Sequence, residues 1–238
     1  MINIQRDASN PPLCLEIEKQ KELSGKTKDA NYRCETVVKR ISDDFFKKCY
    51  ICENGKPTSI NVEHFRPHKS KNIDLKFNYS NLFFACAHCN NCKSDDFENI
   101  LDCTNSNEDV ENWIDYKVEP MEDAKAEFSI SERNKNSSWD EARIKETIRL
   151  LEKIYNGEHT DIKEVEGENL RNLLIEEIFL FYEKVKEFNK NKKFPKDNAD
   201  NIKFIKLEIR KDSNFTAFKR SIIKRSSKLK EEFEKYFD

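Results

Sequence analysis

Glycine is scarce in this sequence, and this scarcity excludes the common nucleotide-binding loops. Four glycines occur among the 238 residues, at positions 25, 55, 157 and 167. They cannot form the G-x-G-x-x-G pattern of dinucleotide-binding folds. The run Ser24-Gly25-Lys26-Thr27 resembles the end of a P-loop, but Gln20 stands where a P-loop requires its first glycine. The sequence therefore argues against a nucleotide-binding enzyme of the common kinds.

Long apolar runs are missing as well. The charge-free stretch Phe77–Cys92 falls short of the ~20 apolar residues that a membrane-spanning helix needs, and it contains Asn, Ser and His. Charged residues make up 37 % of the chain, against roughly 25 % in an average soluble domain. The first ten residues lack the basic-then-apolar pattern of a secretory signal. We therefore expect neither an integral membrane protein nor a secreted one.

Charge is distributed unevenly along the chain. Residues 95–145 carry a net charge of −9, and residues 202–230 carry a net charge of +8. The basic stretch includes Lys203, Lys206, Arg210, Lys219, Arg220, Lys224 and Arg225. Such a stretch suits a polyanion or an acidic surface on a partner, although a solvated helix face is the commoner explanation. The sequence leaves these interpretations open.

Cysteine is abundant, with eight residues in a chain that has no visible secretory signal. This context argues against disulfides and favours metal binding or free thiols. Two C-x-x-C pairs stand out, Cys49 with Cys52 and Cys86 with Cys89, and two such pairs supply the four soft ligands of a tetrahedral zinc site. Cys92 and His88 are alternative ligands, and buried core cysteines are the alternative without metal. We predict one structural Zn²⁺ bound by the two C-x-x-C pairs.

Composition and periodicity divide the chain into four predicted parts of an α+β, mainly α protein. They are an N-terminal segment with a helix (1–48), a cysteine-paired module (49–103), an acidic irregular linker (104–137) and a C-terminal helical region (138–238). A helix is predicted after Asn31 from the spacing of its apolar residues. A second is predicted from Ser138-Trp139-Asp140-Glu141 to Gly157, and a third from about Glu168 to Pro195.

Three polar groups lie inside the cysteine-paired module. They are Val62-Glu63-His64-Phe65-Arg66-Pro67, then Asn81, then Asn90-Asn91-Cys92-Lys93. Each alone is typical of a turn or loop. Together with the C-x-x-C pairs, and with Asn81 and Asn90 nine residues apart, they resemble the HNH endonuclease family over residues 49–103. This resemblance implies a zinc-stapled ββα-metal module and hydrolysis of DNA phosphodiester bonds.

A narrower resemblance is carried by the run VEHFRPHKSKN, then YSNLFFACAHCNNCKSD, followed by NILDC. It is similar to the PtuB-type HNH subunit of Septu anti-phage systems, also found beside some retrons. The resemblance implies an effector nuclease in the cytoplasm of a prokaryote, acting in a hetero-oligomer with a PtuA-like ATPase subunit. Two alternatives remain: a non-catalytic zinc-binding module that docks nucleic acid or an ATPase, and an RNA or tRNA nuclease built on the same module.

The residue types fit phosphodiester hydrolysis, which needs a base for water and a cation for the developing charge. By resemblance the catalytic set is His64, Asn81 and Asn90. His64 would be the general base, and Asn81 would tether the loop whose carbonyl orients its ring. Glu63 and Asn90 offer the oxygen ligands that Mg²⁺ or another divalent cation prefers. The residues expected to hold flanking phosphates are Arg66, His68 and Lys93.

Overall fold

The computed structural model describes residues 1–27, 29–69, 71–157, 161–191 and 198–238, with the backbone alone for 161–164. The helices are α1 (Leu13–Leu23), α2 (Glu35–Asp44), α3 (Ile73–Lys76), α4 (Ala87–Lys93), α5 (Val110–Trp113), α6 (Glu141–Asn156), α7 (Asp161–Lys190), α8 (Ala199–Glu208), α9 (Thr216–Arg225) and α10 (Ser227–Phe233). The strands are β1 (Ile60–His64), β2 (Leu82–Cys86), β3 (Ile114–Lys117) and β4 (Glu127–Ile130). Among the described residues, no helix has the length and apolarity that crossing a bilayer requires. The α+β, mainly helical class is confirmed.

The N-terminal segment contains two helices, and the sequence pattern predicts the second of them. The helix expected after Asn31 is α2, which buries Val37 and Ile41, with Phe45 buried directly after it. The pattern misses α1 because this helix is mostly polar and buries Leu15 alone among its residues. Helix α2 lies beside β2 of the hairpin described next, and α1 lies beside α2 and α3, so the N-terminal segment is part of the environment of the site.

A disulfide joins Cys14 in α1 to Cys34, the residue that caps the N-terminus of α2. The expectation that this chain avoids disulfides is therefore wrong for this pair, while the six other cysteines are free. The two Cα atoms are 6.7 Å apart, within the range that a disulfide can bridge. The pairing depends on how α1 packs beside α2, which the spacing of the cysteines does not reveal.

The hairpin β1–β2 forms the centre of the cysteine-paired module. The strands are antiparallel, with Ile60 opposite Cys86 and His64 opposite Leu82, and α4 follows β2 directly. Every residue of β2 is buried, because one face of the hairpin packs on aromatic side chains. Phe83 stacks on Phe65 with ring centroids 4.8 Å apart. This packing fixes the end of β1, where the Glu63-His64 pair lies.

The acidic segment 104–137 is folded, in contrast to the irregular linker expected from its composition. It contains α5 and the antiparallel hairpin β3–β4, in which Tyr116 faces Phe128. Both rings pack against Phe218 of α9, at centroid distances of 5.3 and 5.8 Å. Burial of these three rings explains why a segment with so many carboxylates is ordered: its apolar face covers the C-terminal helices.

The C-terminal helices pack on one another and on the cysteine-paired module. Asp140 caps α6 by accepting from two backbone N–H groups, whereas the capping-box pattern predicts Ser138 as the cap. Gly157 follows the last residue of this helix, as predicted. Helix α7 begins at Asp161, earlier than the expected Glu168, and the expected break at Pro195 lies outside the described residues. Tyr155 of α6 donates to the Cys52 carbonyl at 2.8 Å and so ties the helical region to the cysteine loop.

Candidate active site and metal centre

Four buried cysteines converge at one point beside the β1–β2 hairpin. The Sγ atoms of Cys49, Cys52, Cys86 and Cys89 all lie within 4.8 Å of one another. The first pair belongs to the loop after α2, and the second pair to the junction of β2 with α4. The predicted ligand set is thus brought together, and the cluster could hold a metal ion such as zinc.

The sulfur positions suit a tetrahedral ion. Cys52 Sγ and Cys86 Sγ are 3.9 Å apart, and tetrahedral Zn–S bonds of about 2.3 Å imply a separation of about 3.8 Å. The backbone N–H of Cys89 donates to Cys86 Sγ, a contact that stabilises a thiolate. Burial raises the pKa of the Cys49 thiol, but hydrogen bonds from the three other thiols outweigh it and lower that pKa well below its usual value. Hydrogen bonds to Cys49 and Cys86 raise the pKa of Cys52, and burial raises the pKa of Cys89, so without a cation the cluster favours a thiolate at Cys49 alone of these three. The thiolate is the form that binds metal.

The two alternative ligands lie outside this cluster. His88 Nδ1 is 3.1 Å from a Glu166 carboxylate oxygen, and its Nε2 is 2.9 Å from the Ile154 carbonyl. Both ring nitrogens therefore face α6 and α7. Cys92 Sγ lies 3.9 Å from the His88 ring nitrogens and has no place in the four-sulfur group. These contacts give His88 a role in joining α4 to the C-terminal helices, and Cys92 packs against the His88 ring within α4.

His64 ends β1, and one hydrogen bond fixes the tautomer of its ring. Its Nε2 lies 2.9 Å from the backbone carbonyl of Lys76. Because a carbonyl can only accept, Nε2 carries the proton and Nδ1 keeps its lone pair. Burial lowers the pKa of His64 to about 4, so the ring is neutral at pH 7. The ring also packs edge-on against Tyr32 and His68, at centroid distances of 4.5 and 4.4 Å.

Asn81 ties together the loop that carries this carbonyl. It is 5 % exposed and lies in the turn before β2. Its side-chain amide donates to the Leu75 carbonyl at 3.1 Å and to the Arg66 carbonyl at 3.0 Å, and its Oδ1 accepts from the Arg66 N–H at 2.8 Å. Since Leu75 precedes Lys76, the amide anchors the peptide next to the one that bonds His64. This is the tethering role that the resemblance implies for Asn81.

Glu63 is buried beside His64, and its two carboxylate oxygens have different surroundings. Oε1 lies 2.8 Å from Lys93 Nζ and accepts from the Tyr50 hydroxyl at 3.2 Å. Oε2 is buried and accepts no hydrogen bond from the residues that the structure describes. Burial raises the pKa of Glu63 to about 7, even though Lys93 opposes this shift. A buried carboxylate oxygen without a donor destabilises the folded protein unless a hydrogen-bond donor or a cation lies against it.

A cleft of about 500 Å³ opens at the end of β1. The predicted residues that line it are Glu63, His64, His68, Asn90 and Lys93. Consecutive strand residues point to opposite faces, yet Glu63 and His64 share this cleft because β1 ends there. Tyr32 and Arg33 line it too, and Arg33 Nη2 donates to the Tyr32 hydroxyl at 2.6 Å. The sequence offers no signal for these two residues, which come from the N-terminal segment.

The residues expected to contact phosphate have three different environments. His68 is half-buried in the cleft, next to the His64 ring. Arg66 is exposed but does not line the cleft, and its backbone is held by Asn81. Lys93 is 1 % exposed and paired with Glu63, so its charge is already matched within the protein. Arg33 is exposed and lines the cleft, so it adds a cation there that the sequence did not predict.

The basic stretch 202–230 does not form a continuous surface. Lys219 and Arg220 are buried, and the side chain of Lys224 is 4 % exposed. Their partners are Glu177 and Glu208 for Lys219, Glu111 and Asp238 for Arg220, and the Glu111 carbonyl for Lys224. The exposed cations of the stretch include Lys203, Arg210 and Arg225. The basic stretch is therefore broken, because internal partners hold three of its ten cations, Lys219, Arg220 and Lys224. Contact of the remaining cations with a polyanion or a partner stays a prediction.

Arg220→Met is expected to lower the free energy of unfolding by about 3 kcal/mol, because it leaves a largely buried carboxylate without its partner. Arg220 donates to both oxygens of Glu111, at 3.0 and 2.9 Å, and methionine keeps most of its aliphatic stem. Urea denaturation measures the change. Lys203→Met, at an exposed position, is the matched control and should stay within about 0.5 kcal/mol of the parent. Equal effects from the two substitutions would contradict the internal role of Arg220.

Searches against family models, curated proteins and solved structures returned no match to this chain. The geometry is a buried four-cysteine cluster and, next to it, a cleft with a tautomer-fixed histidine and a carboxylate oxygen that has no donor among the described residues. The β1–β2 hairpin and α4 contribute to both features, while Cys49 and Cys52 come from the loop after α2.

Proposed function

We propose that this chain is a metal-dependent HNH endonuclease that hydrolyses DNA phosphodiester bonds. The observation that carries the proposal is a chain of hydrogen bonds from Asn81, through the peptides at Leu75 and Lys76, to His64. It ends at a cleft that also contains Glu63. A purely structural zinc module needs neither a histidine of fixed tautomer nor a buried carboxylate oxygen without a donor. The order of hairpin and helix is also the one that the ββα-metal fold requires.

His64 would act as the general base in this reaction. Its neutral ring can take a proton from water at Nδ1, the nitrogen that the Lys76 bond leaves unprotonated. The ring becomes an imidazolium in that step, and the Lys76 carbonyl stabilises the cation through the proton on Nε2. The Asn81 amide keeps this carbonyl in place. The protein thereby holds the base in one orientation before substrate binds.

Glu63 and Asn90 would hold the divalent cation, for which Mg²⁺ is our proposal. Mg²⁺ usually takes one or two protein oxygen ligands, with phosphate and water completing its shell. Glu63 Oε2 fits this role because it is buried in the cleft wall without a donor from the described residues. Lys93 and Tyr50 hold the other oxygen, so the carboxylate keeps one orientation. When bound, the cation would stabilise charge on the phosphate oxygens.

The wider assignment is an effector nuclease of a prokaryotic anti-phage complex, similar to Septu systems and acting with a PtuA-like ATPase. It is supported by the motif run from Val62 to Cys103. Helix α7 also exposes Leu173, Phe179 and Leu180, apolar side chains that a partner subunit could cover. Co-purification of the full chain with an ATPase from its own host is the observation that this part of the proposal requires.

The proposed reaction is tested with the full chain and supercoiled plasmid DNA, with an RNA transcript of the same sequence in a parallel reaction. Nicked circles should form with Mg²⁺ and should not form when Mg²⁺ is omitted. Omission is preferable to a chelator, because a chelator would also strip the cysteine cluster. Cleavage confined to the transcript would favour an RNA nuclease. Cleavage of neither substrate, also in the presence of a co-purified ATPase, would favour a non-catalytic zinc module.

A further inference from the structure

Lys76 is held at two points, its backbone carbonyl and its side-chain ammonium. Its carbonyl bonds His64 Nε2 at 2.9 Å, and its ammonium lies 2.7 Å from a carboxylate oxygen of Glu22, at the C-terminal end of α1. The side chains of Lys76 and Glu22 are 7 % and 13 % exposed, so this ion pair is largely shielded from water. Burial opposes the charge on Lys76, but the bonds to Glu22 and Asp29 outweigh burial and raise its pKa.

Glu22 is itself fixed by the segment that follows α1. The same oxygen that meets Lys76 also accepts from the Ala30 N–H at 3.1 Å. Glu18, one turn earlier, accepts from the Asn31 N–H at 3.0 Å, and the disulfide at Cys14 joins the start of α1 to the end of this segment. Helix α1 and residues 30–34 thus form one braced unit. Tyr32 of this unit packs on the His64 ring.

We propose that Glu22 is a positioning residue for His64, acting through Lys76 from a helix outside the β1–β2 hairpin. This inference rests on the proposed function in taking His64 as the base, although the contact itself does not depend on the reaction. Asn81 fixes the loop from the hairpin side, at Leu75. Glu22 of α1 fixes the same loop at the next residue, Lys76, through the ion pair with its ammonium. The carbonyl that orients the His64 ring is therefore clamped between two elements.

A second ion pair between the same elements provides a matched control. Lys19 of α1 lies 2.7 Å from Asp74 of α3, but the Asp74 side chain is 87 % exposed. Ion pairs in water contribute little, since solvent screens them and the free side chains are well hydrated. A shielded pair behaves differently, because loss of Glu22 leaves the Lys76 ammonium only Asp29, at 3.2 Å and with a side chain that is 94 % exposed. Glu22→Gln should therefore disturb the loop, and Lys19→Gln should not.

The decisive measurement is the ¹⁵N NMR signature of the His64 ring, identified by its absence in His64→Ala. The parent chain should give the pattern of a single Nε2–H tautomer. Glu22→Gln should give mixed tautomers or broadened ring signals, Glu22→Asp should partly restore the parent pattern, and Lys19→Gln should match the parent. Unchanged His64 signals in a folded Glu22→Gln chain would overturn the proposal. If Glu22→Gln does not fold, Lys76→Met replaces it, since this variant removes the buried ammonium and keeps the carbonyl.

Cleavage kinetics provide the second measurement. Misplacement of a catalytic group by about 1 Å can cost ~10²-fold in rate, so we expect kcat to fall at least about tenfold in Glu22→Gln with KM nearly unchanged. A rise in KM with kcat unchanged would contradict a positioning role for Glu22. A parent chain that is inactive also with its ATPase partner present would refute the proposed function, and the ring spectra would then decide the role of Glu22 without reference to activity.

Discussion

His64→Ala is expected to abolish phosphodiester cleavage while leaving the fold and the cysteine cluster intact. Loss of a positioned general base typically costs ~10²–10⁴-fold in rate. Among the described residues, the ring hydrogen-bonds the Lys76 carbonyl, and water that fills the space left by the ring can bond this carbonyl in the variant. Plasmid nicking measures the rate, and metal analysis with circular dichroism reports on the cluster and the fold.

His68→Ala is the matched control for this experiment. His68 lies in the same cleft, with its ring 4.4 Å from the His64 ring, but it follows β1 and lies outside the Asn81–Lys76 hydrogen-bond chain. We expect a smaller loss of rate from this substitution, expressed mainly in KM if the residue contacts phosphate. Near-normal cleavage by His64→Ala, or equal losses from both variants, would remove His64 from the role of base.

Cys49→Ser is expected to abolish the binding of one zinc per chain and to unfold the cysteine-paired module. Four sulfurs that lie within 4.8 Å of one another are held together at a cost when no ion neutralises them. Structural zinc sites contribute about 10–16 kcal/mol of apparent binding free energy in small zinc modules. Loss of one ligand should therefore release the loop after α2 from the β2–α4 junction. Metal analysis and thermal denaturation measure the two effects.

Cys92→Ser tests whether this loss is specific to the cluster. Cys92 is as deeply buried as Cys89 and lies one helical turn beyond it, but its sulfur contacts the His88 ring. This variant should keep its zinc and lose stability modestly. Undiminished zinc in Cys49→Ser would refute the assigned ligand set, and zinc lost from Cys92→Ser alone would transfer the fourth ligand position to Cys92.

Several features of the fold follow from local sequence. Short-range spacing is sufficient for a C-x-x-C pair, because both cysteines lie within one turn of the chain. It is also sufficient for α2 and α6, where apolar residues recur at the helical period and Asp140 and Gly157 mark the ends of α6. The preference for Cys86 and Cys89 over Cys92 as ligands agrees with the cluster that the structure brings together.

Features that depend on long-range packing were not predicted from the sequence. The charge of Arg220 indicates a surface residue until α9 is placed against Glu111, more than a hundred residues away. The disulfide at Cys14 depends on how α1 lies beside α2. The composition of the acidic segment predicts an irregular linker, whereas three buried rings stabilise a hairpin there. In each case the partner is remote in sequence, and neither charge nor periodicity identifies it.

The sequence by itself determined the identity of the candidate metal ligands, the residue types of the candidate site and the helical character of the C-terminal region. Only the tertiary structure decided which groups surround the site. It placed Tyr32 and Arg33 in the cleft, paired Lys93 with Glu63 and left one Glu63 oxygen without a donor from the part of the chain that the structure describes. The physical reason is that side-chain chemistry is local, whereas desolvation and charge pairing depend on which distant elements pack together.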